Sequence, residues 1–297
     1  MDDQARLAEH FDRTRGHLRA VAVRMLGSAD EADDAVQETW LRACRAGSGS
    51  VRNPTAWLTT ITGRVCLDML RSRSRRREDF ADPADLDMPA PHEESADPAD
   101  EVVLADSVGL ALLVVLDTLG PAERAAFVLH DLFAVPFDEI AVIVDRSPAA
   151  AKKLASRARR RVRGTAGVPS SGLAGQRAVV DAFLAASRAG DLDGLLAVLA
   201  PDVVRRADPF ALRGQPTAPA QVRGARAVAE ETRANARRAR FARTALVDGA
   251  VGAVVAPRGR LLFVLAIAVT GDRITSIDVI GDPARLKRVR LGLADVP

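Results

Sequence analysis

The sequence predicts a multidomain chain in which two all-α helical domains precede an α+β domain. Three observations predict it. Apolar residues recur at helical spacing on either side of a proline-rich acidic stretch in the first 163 residues. The segment Gly164–Gly175 (GTAGVPSSGLAG) then reads as a flexible linker. Beyond it, helices give way to apolar runs parted by Asp248-Gly249, Pro257-Arg258-Gly259 and Gly271-Asp272, the pattern of an antiparallel meander. At 297 residues the chain has room for two or three domains, and 48% hydrophobic residues suffice for packed cores.

Composition removes several classes of function. No run approaches 18 apolar residues, so no membrane span is expected and a membrane is not among the partners. The first residues, MDDQARLAEHFDR, are charged and have no apolar core, unlike a signal peptide. These two readings make the expected location cytoplasmic. Cys44 and Cys66 fall on apolar-rich helical segments and read as buried free thiols of a reducing compartment. No metal site and no cofactor are expected, because two cysteines lack further ligands nearby. The net charge of +3 says little, and abundant Arg and Ala can follow genome composition, so the arginine count alone does not signal nucleic acid. Placement does.

The first eighty residues read as helix. Leu7, Phe11, Leu18, Val21, Ala22, Met25 and Leu26 supply two helices with a break near Gly16. Ser28-Ala29-Asp30-Glu31 is a capping box opening a third. On that helix Ala32, Ala35, Val36, Thr39, Trp40 and Ala43 share one face. Asp33, Asp34, Gln37 and Glu38 lie elsewhere and make an acidic surface. A helix start explains acids at positions 30 and 31 through the dipole. It explains Asp34, Gln37 and Glu38 less well, which leaves a partner surface open. Gly47–Ser50 reads as a flexible loop. Asn53 then caps a long helix from Pro54 to about Arg73, with Trp57, Leu58, Ile61, Val65, Cys66, Met69 and Leu70 inward. Arg64 and the run Arg71–Arg77, five arginines in seven positions, exceed what a helix C-terminus needs and suit a polyanion.

Residues 78–106 hold eleven acids, no Lys or Arg, and Pro83, Pro89, Pro91 and Pro98. Such a segment cannot bury a core and reads as an acidic linker. It is a solvated tether or a nucleic-acid mimic resting on the arginine-rich helix ends. Val102–Leu119 and the helix opened by Pro121 then read as the support of a helix-turn-helix. Phe137, Ile140, Ala141 and Val144 form its first helix, and Ser147 caps its second, SPAAAKKLASRARRRVR. Ala151, Leu154, Ala155, Ala158 and Val162 make a narrow apolar stripe. Lys152, Lys153, Arg157, Arg159, Arg160, Arg161 and Arg163 cover the other faces with no acid among them. One dry side and one cationic side is what a reader helix needs in the major groove. The apolar side is mostly alanine, too thin for membrane insertion.

Two blocks carry a family resemblance. DEADDAVQETWLRA with NPTAWLTTITGRVCLDMLRSRSRRR resembles region 2 of extracytoplasmic-function sigma factors. LGPAERAAFVLHDLFAVPFDEIAVIVDRSPAAAKKLASRARRRV resembles region 4 of the same family. The resemblance implies promoter recognition on behalf of bacterial RNA polymerase, with core polymerase and promoter DNA as partners and no enzymatic activity. It implies core-polymerase contacts at Asp33, Asp34, Gln37, Glu38 and Trp40. It implies −10 contacts at Thr59, Thr60, Arg64, Asp68 and Arg71, expected to be exposed, and −35 contacts at Ser147, Lys152, Lys153, Ser156, Arg157 and Arg160. Leu154, Ala158 and Val162 are expected to be buried.

The remainder, about Gln176 to Leu291 and ending TGDRITSIDVIGDPARL, is similar to a SnoaL-like domain, a cone-shaped α+β fold. Sigma factors with this extra domain form a group in which it regulates activity in cis. The chain departs from the group where a glycine-rich acidic motif gives way to Ala207-Asp208-Pro209-Phe210-Ala211-Leu212, and the closing Gly281–Leu286 keeps only part of the terminal motif. From Gln176 onward there is no His, Cys, Tyr or Trp, which argues against acid–base chemistry. Asp208 and Asp278 are the carboxylates to inspect. Nineteen Lys and Arg against twelve acids leave a basic face on Arg226, Arg233, Arg237 and Arg240 for docking. An unidentified small-molecule ligand remains open as a partner of this domain.

The expected boundaries are region 2 over 1–77, the acidic linker over 78–106, region 4 over 107–164, a linker over 165–175 and the SnoaL-like domain over 176–297. The alternative is a stand-alone helix-turn-helix regulator with a small-molecule-sensing SnoaL-like domain, and it leaves the acidic third helix unexplained. A fused isomerase or cyclase lacks acid–base residues.

Overall fold

The computed structural model describes residues 3–47, 51–79, 107–164, 170–213, 217–257 and 261–293. The loop at 48–50, the acidic segment 80–106 and residues 165–169 lie outside them. The chain divides into two compact units, Met1–Glu94 with Leu119–Arg159 and Ser95–Thr118 with Arg160–Pro297. In chain order the first helices are α1 (Asp3–Leu26), α2 (Ala29–Ala46), α3 (Pro54–Asp79), α4 (Ser107–Leu116), α5 (Pro121–Phe127), α6 (Phe137–Val144) and α7 (Pro148–Arg163). They are followed by α8 (Ser170–Ala189), α9 (Leu192–Val198), β1 (Leu199–Ala207), β2 (Gln221–Arg223), α10 (Ala225–Ala234) and α11 (Ala236–Ala239). The chain closes with β3 (Ala242–Val247), β4 (Ala250–Val255), β5 (Phe263–Thr270), β6 (Arg273–Ile280), α12 (Pro283–Leu286) and β7 (Leu291–Gly292).

In the first unit α1, α2 and α3 pack pairwise around Leu7, Phe11, Leu18, Val36, Ala43 and Leu58. No break occurs at Gly16. The apolar positions stay in phase across it, so packing outweighs the cost of about 1 kcal/mol for a helical glycine. Half of the expected capping box forms. Ser28 Oγ accepts from Glu31 N, but the Glu31 carboxylate turns away to pair with Arg73. Asn53 Oδ1 accepts from Ala56 N at 3.1 Å and starts α3, which continues to Asp79, two turns past the expected end. α3 also packs on α5 and α6. Helix α5 runs into a wider π turn over Val128–Leu132, and Val135 N returns to Leu129 O.

In the second unit a seven-stranded sheet runs β2-β1-β6-β5-β4-β3-β7. Strands β3 to β6 form the expected antiparallel meander, but β1 joins it parallel to β6, with a register shift between Leu199 and Val204. α8 crosses the sheet, and Phe183, Leu184, Val255, Ile267 and Ile277 are among the residues of the core between them. The expected linker 165–175 ends early. Ser170–Gly175 is already the start of α8, because Leu173 packs on this core. The helix expected over Ala225–Arg240 is two, divided at Asn235. α4 is also redirected. Read from sequence as support for the helix-turn-helix, it packs against β3, in keeping with its near-continuous apolar run over Ala111–Leu116.

Candidate nucleic-acid interface

The helix-turn-helix is built by local rules. Asp145 ends α6 in the left-handed region (φ 56°), which Asp tolerates better than most residues, and Arg146 N returns to Ala141 O at 3.0 Å. Ser147 Oγ then accepts from Ala150 N and starts α7. Ala151, Ala155, Ala158 and Val162 are buried, while Lys152, Lys153, Ser156, Arg157 and Arg160 are all exposed. The last five lie at spacings of three and four, so they form one continuous face. Leu154 was expected to be buried but is only half-buried, because it sits at the edge of the alanine stripe. Arg159 leaves the open face to pair with Asp131.

On α2, Asp34 and Gln37 are exposed. Asp33 is held bidentately by Arg19, at 2.8 and 3.3 Å. Glu38 accepts from Arg42 Nε at 2.8 Å, and Arg42 also reaches Asp68 on α3 at 3.3 Å. Glu38 first, then Asp68, raise the Arg42 guanidinium above its ordinary range, against the opposing pull of burial. Trp40 is half-buried, its ring 5.0 Å from that of Phe11. The acidic surface is therefore a partly neutralised rim around two open positions.

On α3, Thr60, Arg64, Asp68 and Arg71 fall at i, i+4, i+8 and i+11 and share one face. Thr59 does not join it. It is 4% exposed, its hydroxyl donates to Thr55 O at 2.9 Å, and it lies 3.4 Å from His17 Nε2. Its expected exposure is corrected, because Thr59 is one position round from Thr60 and points into the helical core. Thr60 is half-buried and Arg64 is exposed. The arginine run is also partly spent. Arg73 donates to Leu26 O and pairs with Glu31, fastening the end of α3 to the α1–α2 turn. Arg71 and Arg75 remain exposed.

One contact lay beyond the sequence. Arg64 donates to the carbonyl of Val142 on α6 at 3.2 Å. The approach is close because residue 63 is glycine. A Cβ there would stand 3.1 Å from Ile143 Cδ1 and 3.4 Å from Leu129 Cδ1. In this arrangement α6 holds one of the four residues on the outer face of α3.

The second unit contains a cavity of about 150 Å³ between the sheet, α8, α10 and α11. Neither Asp208 nor Asp278 lines it. The Asp208 carboxylate, 7% exposed, accepts from Ala211, Gly281 and Asp282 N, each at 3.0 Å, and meets Arg285 at 3.4 Å. It binds the loop after β1 to the turn after β6, joining the two motif positions at which the chain departs from the SnoaL-like group. Asp278 is paired with Arg206 at 3.6 Å. The carboxylate lining the cavity is Glu231, half-buried and paired with the buried Arg205, and sequence periodicity gave no signal for that pair. No cluster of metal-binding side chains occurs among the described residues, and no helix of theirs is long and apolar enough to cross a membrane.

A cationic reader helix after a tight turn, with an arginine-bearing helix in the same compact unit, has the form of a DNA-binding protein. Residues 10–76 match Sigma-70 region 2, and residues 109–162 match Sigma-70, region 4. The chain is 42% identical over 194 residues to the probable ECF RNA polymerase sigma factor SigI of Mycobacterium tuberculosis H37Rv, covering 65% of this chain and 67% of that protein. It is 41% identical over 215 residues to the ECF RNA polymerase sigma factor SigJ of the same strain, covering 72% and 68%. The crystal structure of SigJ aligns with a TM-score of 0.46 at 34% identity, over 94% of this chain and 98% of that one. The chain belongs to the ECF RNA polymerase sigma factors.

Proposed function

We propose that this protein carries core RNA polymerase to promoters, with the α2 rim docking on the polymerase and α3 and α7 reading two promoter elements. Asp34 and Gln37 are the open positions of the docking surface, with Asp33, Glu38 and Trp40 around them. Thr60, Arg64, Asp68 and Arg71 face the −10 strand. Ser147, Lys152, Lys153, Ser156, Arg157 and Arg160 face the −35 duplex. The observation that carries this reading is the division of α7 into a buried alanine stripe and an unbroken exposed cationic face. The protein works in the cytoplasm, supplies binding energy rather than catalysis, and its C-terminal α+β domain regulates it in cis.

The contact between Arg64 and Val142 adds a condition. While α6 holds Arg64, one of its guanidinium nitrogens is spent on the Val142 carbonyl, so the −10 strand competes with α6 for that side chain. The reading is tested by transcribing a library of host genomic fragments with purified core polymerase and this protein. A shared pair of elements upstream of the starts supports it. Starts no different from those of core polymerase alone reject it.

A further inference from the structure

We infer that the cavity of the C-terminal domain is a binding site for a small, neutral, ring-sized molecule with an apolar body and one hydrogen-bond donor, such as a phenolic hydroxyl. The inference stands on the cavity itself and holds whether or not the promoter-recognition reading does. Its volume of about 150 Å³ equals that of an engineered apolar cavity that admits benzene. The body of the site is apolar, with Leu184, Val255, Phe263 and Ile277 on its walls. Its polar groups gather on the α8 and α10 side.

Of these, Ser187, Thr232 and Arg205 have their own donors already committed, and Asn235 gives an amide N–H to Glu231 O at 3.0 Å. Ser187 Oγ donates to Phe183 O at 2.6 Å, and Thr232 Oγ1 donates to Val228 O at 2.7 Å. Each hydroxyl keeps lone pairs to offer and no proton. Arg205, 6% exposed, donates through all three of its nitrogens, to both carboxylate oxygens of Glu231 and to the Pro219 and Ala220 carbonyls. The ion pair presents no net charge to the cavity, and its outward-facing capacity is the remaining lone pairs of the Glu231 carboxylate. Ser187, Thr232 and Glu231 therefore all call for a donor, and none of the three offers one to an anion. Arg238 is the cation that favours the opposite choice. It is half-buried, as Glu231 is, and the comparison of benzoate with phenol decides between the two.

The test uses the full chain with labelled Ile, Leu and Val methyls, titrated with phenol, anisole and benzoate and read at Leu184, Val255 and Ile277. Phenol is expected to shift these resonances saturably and to bind about five-fold more tightly than anisole, the value of one added hydrogen bond. Ser187→Ala and Thr232→Val should each reduce that preference while leaving anisole unchanged. Ala242→Leu, which fills the cavity, should abolish all shifts. Should that variant misfold, the Ser187 and Thr232 variants still decide the matter. Equal binding of anisole and phenol overturns the inference, and so does an absence of shifts with every probe. Tighter binding of benzoate that is lost in Arg238→Gln overturns it as well.

Discussion

The Arg64 guanidinium donates to the Val142 carbonyl at 3.2 Å, and so a residue on the outer face of α3 is held by the first helix of the helix-turn-helix. The contact depends on the missing side chain of Gly63, whose Cβ would press on Ile143. Gly63→Val should wedge α3 from α6. Amide hydrogen exchange over residues 137–144 should quicken while that of α1 stays unchanged, since local opening reports local packing. Unaltered exchange at 137–144 would show that the contact is not a support of α6.

On α7 the exposed and buried faces should separate cleanly. Lys153→Ala and Arg157→Ala should each weaken promoter binding and lower the salt dependence of binding by about one unit of slope, without loss of stability. Ala155→Asp should do the reverse and unfold the unit, because it places an uncompensated charge in a fully buried site. Salt titrations of promoter binding and thermal melts of the three variants check both halves.

The two thiols should differ sharply. Cys66 is fully buried, and burial pushes its thiol up to about 12, opposed in part by the nearby Arg124. Cys44, expected to be buried, is half-buried. At pH 8 a thiol reagent should label Cys44 in the native protein and Cys66 only after unfolding. The raised thiol stabilises the fold below its unfolded value near 9, and that contribution is lost as pH rises from about 9 to about 12. Cys66→Ala should flatten this alkaline limb of urea stability; an unchanged slope would assign it to other groups.

The pair of Arg205 with Glu231 should be costly to break from one side. Arg205→Met leaves the Glu231 carboxylate uncompensated at a cavity wall and should destabilise the C-terminal unit by roughly 3–5 kcal/mol. The double variant with Glu231→Leu should recover much of that loss. Urea denaturation of the three proteins measures the coupling.

Short-range rules made some parts legible. The Ser147 cap, the alanine stripe of α7 and the cap at Asn53 are each set within four residues, and the structure keeps all three. Long-range pairing was not legible. The parallel β1–β6 pairing, the pull of α4 onto β3, the capture of Arg73 by Glu31 and the Arg205–Glu231 pair each join residues far apart in the chain. Thr59 was misread because neighbouring threonines on a helix differ by 100° in direction, and only the packing of α1 decides which is covered. The start of α8 was masked by a Ser- and Gly-rich composition that Leu173 overrides through burial.

The central claim is that α7 and α3 read a promoter on behalf of core polymerase. Run-off transcription from a promoter found in the genomic library, with purified core polymerase, tests it most directly when the full chain is compared with Lys153→Glu/Arg157→Glu. The account predicts a specific transcript with the full chain and its loss in the double variant, with the fold intact by circular dichroism. A transcript of equal strength from the double variant would contradict it.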